Sequence, residues 1–168
     1  MDVRPATRDD CSGIGEVHVQ AWRTAYRGEF PDDYLDGLDP RERAEYWKAV
    51  LERTRDFGSR LVVVEAHKSI AGFACFGPAN GVAGRGELYA MNVHPSLWRA
   101  GVGSGLLNSV SSQLVEMGLP DALLWTGQQN TRAQLFYFAH GWQLDGTARE
   151  EQVHGVVVAE VRLAKMLG

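Results

Sequence analysis

Cysteine is scarce: Cys11 and Cys75 are the only two in 168 residues, far apart and without CxxC spacing. That pattern excludes a disulfide scaffold and a thiolate zinc site, and Cys75, inside GFACFG, reads as a small core residue. No apolar run approaches the roughly 20 residues needed to span a bilayer. The opening MDVRPATRDD lacks the apolar stretch of a secretory signal. Basic charge is not in excess either. The 17 Lys and Arg against 21 Asp and Glu give a formal net charge of −4, which argues against a nucleic-acid backbone as the main partner. His18, His94, His140 and His154 stand at no metal-ligand spacing, so no metal is expected. No linker, low-complexity tract or internal repeat divides the chain. The expectation is one soluble, cytoplasmic domain over residues 1–168, with no nucleic-acid or membrane partner. At 45% hydrophobic and 23% charged, it can bury one core.

Periodicity supplies the elements. DVRPA reads as a first strand, and Ile14, Val17, Ala21, Trp22 and Ala25 recur at helical spacing from Asp9 or Asp10 to about Tyr26. A short helical piece is expected over Tyr34 to Leu38. Asp39 as N-cap with Pro40 behind it opens a helix through RERAEYWKAVLER. RLVVVEA and SIAGFACFG form a hairpin turning at His67 and Lys68. PANGVAGRG is a loop and ELYAMNV a strand ended by His94-Pro95. Leu106, Leu107, Val110, Leu114 and Met117 mark the next helix, closed by Gly118 and Pro120. DALLWTG is a strand, NTRAQLFYFAHG a helix capped by Asn130, and WQLDGTA and VHGVVVAEVRLAKM the last two strands. Strands joined by hairpins do not fit a fully parallel, doubly wound sheet, so the class is α/β (α+β) with a largely antiparallel sheet.

One stretch carries chemistry: VHPSLWRAGVGSGLL, residues 93–107. Gly101, Gly103 and Gly105 stand at the mouth of a helix whose first N–H groups lack partners and carry about half a positive charge. Glycine clears the approach for an anion, and Arg99 adds a full charge. A phosphate-binding Walker loop fails, because Leu106 and Leu107 stand where Lys-Ser/Thr would. A dinucleotide fingerprint fails too, for want of its third glycine and of a parallel βαβ setting. A helix start with flexible entry and no ligand is the bland alternative, at a cost in helix stability with no structural return.

The stretch resembles motif A of the GCN5-related N-acetyltransferases (GNAT): a strand ending Val-x-Pro, then Gln/Arg-x-x-Gly-x-Gly/Ala, then an apolar helix. NTRAQLFYFAHGW resembles that family's second signature, about 30 residues on, with Trp142 in the last place. AWRTAYRGEFPDDYLDGLDP is similar to the helical entry of many bacterial members. One departure stands out: Trp98 occupies the Gln/Arg position, with Arg99 one place later.

The resemblance implies a GNAT-type mixed, mostly antiparallel sheet of six to seven strands flanked by about four helices. It implies acetyl-CoA as co-substrate and transfer of its acetyl group to a primary amine of a small molecule or protein. The alternative is a catalytically silent acyl-CoA sensor or interaction module. Arg99, Ala100, Gly101, Val102, Gly103 and Ser104 would cradle the diphosphate. Met91, Asn92 and Val93 would supply an oxyanion donor at a bulge and pair with the pantetheine arm, or else pair only with the next strand. Glu87, eleven residues before Trp98, matches a general base, or is a solvated carboxylate at a strand start. Tyr137 matches the acid that protonates the leaving thiolate and also meets the coenzyme, or is a core aromatic. Asn130 contacts the coenzyme arm, or caps a helix only. Trp22, Tyr26 and Phe30, with Arg27 among them, wall the acceptor site or pack as core. Members of the family often form homodimers, and nothing in this sequence decides that.

Overall fold

The run Leu61–Val64 shows no polar alternation because its strand is covered on both faces. The computed structural model describes residues 2–168. In it, Val62 and Val64 pack toward one helical layer and Leu61 and Val63 toward another, as a fully buried strand must. The elements are β1 (Val3–Pro5), α1 (Cys11–Ala25), α2 (Asp32–Asp36), α3 (Pro40–Arg53), β2 (Arg60–Ala66) and β3 (Ser69–Pro78). There follow β4 (Gly86–Val93), α4 (Val102–Glu116), β5 (Asp121–Gly127), α5 (Thr131–Ala139), β6 (Gln143–Val153) and β7 (Val156–Met166). The seven strands form one sheet in the order β1-β2-β3-β4-β5-β7-β6. Neighbours are antiparallel except β4 and β5, which run parallel. No helix among the described residues is long and apolar enough to cross a membrane.

Each helical layer follows from local chemistry. Asp39 caps α3 by accepting from the Arg41 N–H at 2.8 Å, with Pro40 in the first turn. Leu106, Leu107, Val110 and Leu114 of α4 are fully buried against β2–β5. Truncating one of these leucines to alanine costs about 2–5 kcal/mol. Past its last turn, Gly118 at φ 76° lets Leu119 N–H return to Leu114 O at 2.9 Å. The β2–β3 turn places His67 and Lys68 at φ 52° and 63°, the twist a two-residue hairpin favours.

The chain departs from the sequence reading at the bounds of three elements. The short helix α2 runs Asp32–Asp36, two residues before the expected Tyr34 to Leu38 at both ends. The strand expected over 142–148 continues to Val153, and the last strand begins at Val156 rather than Val153. Between them His154 at φ 49° and Gly155 at φ 79° form the hairpin turn. REEQV gave no signal because β6 is an edge strand, largely exposed along its length, with no buried face to impose alternation.

His18 is 8% exposed and accepts a hydrogen bond from the Trp47 indole N–H at 3.0 Å. Burial, with smaller contributions from Arg43 and His154, pushes its pKa down to about 4. The unfolded chain takes up this proton near about pH 6.5, well before the folded one does. Stability is therefore complete above that pH and is lost as pH falls toward 4. Urea unfolding should show a loss of about 2–3 kcal/mol across that window. His18→Gln, which keeps an acceptor for Trp47, should flatten that slope; an unchanged slope would assign it elsewhere.

Candidate active site

β4 and β5 pair only where Gly86, Glu87 and Leu88 face Ala122, Leu123 and Leu124. Beyond Leu88 they part, while β4 stays paired to β3 as far as Val93. His94 N–H donates to Ala71 O at 2.8 Å. Antiparallel alternation then turns the peptide groups of Asn92 toward β3 and those of Met91 and Val93 into the gap. An exposed strand edge of this kind is a template for an extended ligand carrying amides. One acceptor is already engaged: the Trp98 indole N–H donates to Val93 O at 2.9 Å.

The strand irregularity expected at Met91–Val93 lies earlier. Cys75 faces Ala90 and Phe76 faces Leu88, so Tyr89 is the extra residue. The bulge lets Tyr89 and Ala90 both reach the α1–α3 layer while Leu88, Met91 and Val93 stay with α4. Leu88 packs, Tyr89 absorbs the extra twist, and the open edge follows directly.

At the end of that edge lies an anion nest. Arg99 at φ 63° and Gly101 at φ 84° bring successive N–H groups to one side of the chain. Among the described residues, the N–H groups of Arg99, Gly101, Val102, Gly103 and Ser104 find no acceptor in the chain. The first internal bond of α4 runs from Gly105 N–H to Gly101 O at 3.0 Å. The three glycines have different reasons. Gly101 adopts a left-handed conformation, and a Cβ at Gly103 would sit 3.3 Å from the Phe136 ring. A Cβ at Gly105 would meet nothing within 4 Å. Gly101 is thus set by its backbone conformation, and a side chain at Gly103 would need the Phe136 ring to shift by a few tenths of an ångström.

The side walls come from α5 and the first helix. Asn130 caps α5 by accepting from the Ala133 N–H at 3.1 Å, as expected. Tyr137 of α5 is 9% exposed; burial, and secondly the nearby Tyr26, hold its phenol well above the ordinary range. Burial also raises Tyr26, which Asn130 partly offsets by hydrogen bonding. The structure therefore brings Tyr26, Asn130 and Tyr137 together beside the gap. Trp22, Tyr26 and Phe30 form one aromatic cluster with ring centroids 4.8–5.6 Å apart. Phe30 is buried in it beside Val19, Leu35 and Leu38, while Trp22 and Tyr26 remain partly open.

Glu87 projects from the opposite face of β4 to Leu88. It is 9% exposed and accepts from the Asn80 N–H at 3.1 Å. Burial raises its carboxyl pKa, against the pull of the Asn80 N–H, Arg149 and Arg162. Those two arginines flank Trp125, at 4.1 and 5.6 Å from its ring centroid, and pair with Glu160 and Asp145 at 2.7 Å each. Sequence reading missed this guanidinium–indole floor, and missed Glu29, which abuts Gly127. Trp125 sits in a strand and the arginines in two others, so no spacing along the chain could join them. Among the described residues, no group of three His, Cys, Asp or Glu is placed to hold a metal ion.

The site is thus a parallel strand pair that parts beyond Leu88, with N–H groups lacking acceptors at its open end. The chain belongs to the acetyltransferase (GNAT) family, whose sequence model matches residues 19–142. It is 34% identical over 142 residues to the uncharacterized N-acetyltransferase YuaI of Bacillus subtilis, covering 83% of this chain and 79% of that one. Its fold matches the PaiA N-acetyltransferase of Thermoplasma acidophilum, solved in complex with coenzyme A, at a TM-score of 0.73 and 19% identity. That match covers 95% and 96% of the two chains. YncA of Salmonella typhimurium, solved with its cofactor acetyl-CoA, matches at 0.73 and 22% over 100% and 94%. The mixed, mostly antiparallel sheet expected from the sequence is thus the observed one, with five α-helices where about four were expected.

The glycine analysis gives unequal substitutions. Gly101→Ala should cost about 1–2 kcal/mol of stability, because alanine resists the left-handed conformation. Gly105→Ala should instead gain about 0.5–1 kcal/mol, since it fills open space in a helix. Urea denaturation of the two variants checks the opposite signs.

Proposed function

We propose that this chain transfers the acetyl group of acetyl-CoA to a primary amine by direct attack on the thioester. The observation that carries this reading is the set of unpaired N–H groups of Arg99 and Gly101 to Ser104 at the open end of the β4 edge. Those donors suit a diphosphate, and the gap leading from them suits an extended arm with amides. Acetyl-CoA supplies the activated acyl group and a thiol leaving group.

The chain's residues meet the three demands of the reaction. An acceptor amine with a lysine-like pKa near 10.4 must shed a proton, at a cost of about 4–5 kcal/mol at neutral pH. Glu87, raised toward neutrality by burial, takes that proton, directly or through water. The Met91 N–H, turned into the gap, faces the developing negative charge on the thioester oxygen. Tyr137, whose buried phenol stays protonated throughout the neutral range, gives its proton to the departing sulfur. Asn130 and the Val93 N–H orient the arm. Trp22, Tyr26 and Phe30 form the aromatic wall against which the acceptor, a small molecule or a protein side chain, is held.

Calorimetry with acetyl-CoA and a thiol-release assay over a panel of amines test this. The expected result is binding, with release by at least one amine. Tight binding without release by any acceptor would leave a silent acyl-CoA sensor, and absence of binding would refute the cradle itself. Glu87→Gln and Tyr137→Phe should each lower kcat by about 10²-fold or more, with affinity for acetyl-CoA little changed. In the wild type, kcat should fall as acid protonates Glu87 at its raised pKa, and Glu87→Gln should remove that limb. Gly103→Gln, crowding both Phe136 and the nest, should weaken acetyl-CoA binding by at least about tenfold, or 1.4 kcal/mol.

A further inference from the structure

The residue at position 98 breaks the family's pattern, and the structure shows what surrounds it. The Trp98 indole is fixed by its bond to Val93 O at 2.9 Å. Over its ring, 3.5 Å from the centroid, lies the guanidinium of Arg132 from the first turn of α5. Among the described residues, Arg132 has no carboxylate partner. Partial burial lowers its pKa, while the residue as a whole remains exposed.

Its position along α5 is set by contacts further down the same helix. Residues 132, 136 and 140 are spaced by four, so they form one stripe. His140 Nε2 lies 2.9 Å from Ser104 Oγ, and its Nδ1 lies 2.8 Å from Phe136 O. The Phe136 ring meets the would-be Cβ of Gly103. Ser104 and Gly103 are the first turn of α4, and Trp98 leads into it. The stripe therefore runs from the first turn of α4, at His140 and Phe136, to the Trp98 ring, at Arg132.

We propose that Arg132, held over the Trp98 ring, is a diphosphate-binding residue that replaces the Gln/Arg side chain missing at position 98. This rests on the reading of the nest as the coenzyme's diphosphate site. The indole orients the guanidinium and screens one of its faces, while its edge remains free to donate two parallel N–H groups to phosphate oxygens. The arrangement moves the cation from the loop before α4 to the helix across the gap. Bound coenzyme would then be gripped from both walls, by main-chain donors on one side and a side chain on the other.

Calorimetry with three probes tests the assignment: coenzyme A, dephospho-coenzyme A without the 3′-phosphate, and pantetheine without any phosphate. Arg132→Met should weaken the first two by about tenfold alike and leave pantetheine unchanged. Arg132→Lys, which keeps the charge but loses the planar stack, should fall between. Trp98→Ala should cost about as much as Arg132→Met, and the double variant little more than either, because one residue acts through the other. A loss confined to coenzyme A would place Arg132 on the 3′-phosphate and overturn the proposal. Unchanged affinity of Arg132→Met for coenzyme A would overturn it as well. Should the wild-type protein bind neither coenzyme form, the diphosphate reading of the nest fails instead. Melting temperatures of the variants close to wild type exclude unfolding as the cause of any loss.

Discussion

The parallel ladder between β4 and β5 holds for three residues and then stops, and the remaining features of the site depend on that interruption. In a continuous sheet the peptide groups of Met91 and Val93 would be spent on a neighbouring strand. Here Tyr89 enters β4 as an extra residue against Cys75 and Phe76, bending the strand where pairing with β5 ends. Leaving strand edges open inside a sheet forgoes several hydrogen bonds, each worth about 0.5–1.5 kcal/mol. The cost is offset by packing on both faces. Leu88, Leu124 and Tyr137 belong to the same buried cluster as the α4 leucines, and that cluster holds the two strands in place where hydrogen bonds do not.

The same opening organises charge. At one end, donors at the mouth of α4 find no partner in the chain and favour an anion. Further in, on the other face of the sheet, the residues near Glu87 are arginines already neutralised by Glu160 and Asp145. Positive character is therefore uncompensated at the mouth of α4 and compensated around Glu87. Glu87 is also buried enough for its carboxyl to favour the protonated form more than an exposed one would. Unpaired donors and the buried carboxylate of Glu87 thus lie at separate places along β4.

Much of this was legible in the sequence, and the failures have physical causes. The buried strands and capped helices declared themselves because each satisfies a local rule: LVVV with two covered faces, Asp39-Pro40 at a helix start, Gly118 at a helix end, Asn130 as a cap. The glycine-rich entry to α4 was legible for a related reason, since unpaired helix donors are a property of any first turn. The second half of β6, Arg149 to Val153, was not legible, because an exposed edge has no burial pattern to print on the chain. The bulge was misplaced by two residues or more because it reflects a conflict between layers, with Tyr89 and Ala90 both needed on one face. Trp125 between Arg149 and Arg162 lay beyond reach altogether, being a contact across three strands.

Position 98 shows how a departure from a pattern is to be read. On the sequence alone, tryptophan in place of Gln or Arg subtracts one phosphate contact. In the fold the same indole ties down Val93 O and presents a flat surface to α5, and a guanidinium without a carboxylate partner rests on that surface. A stacked arginine loses less freedom on binding than one swinging from a loop, because its fork is already oriented. Among the described residues Arg99, in the left-handed region, lies over no aromatic ring. The substitution therefore exchanges a mobile contact for a preorganised one, and its effect on affinity depends on Arg132, 34 residues away along the chain.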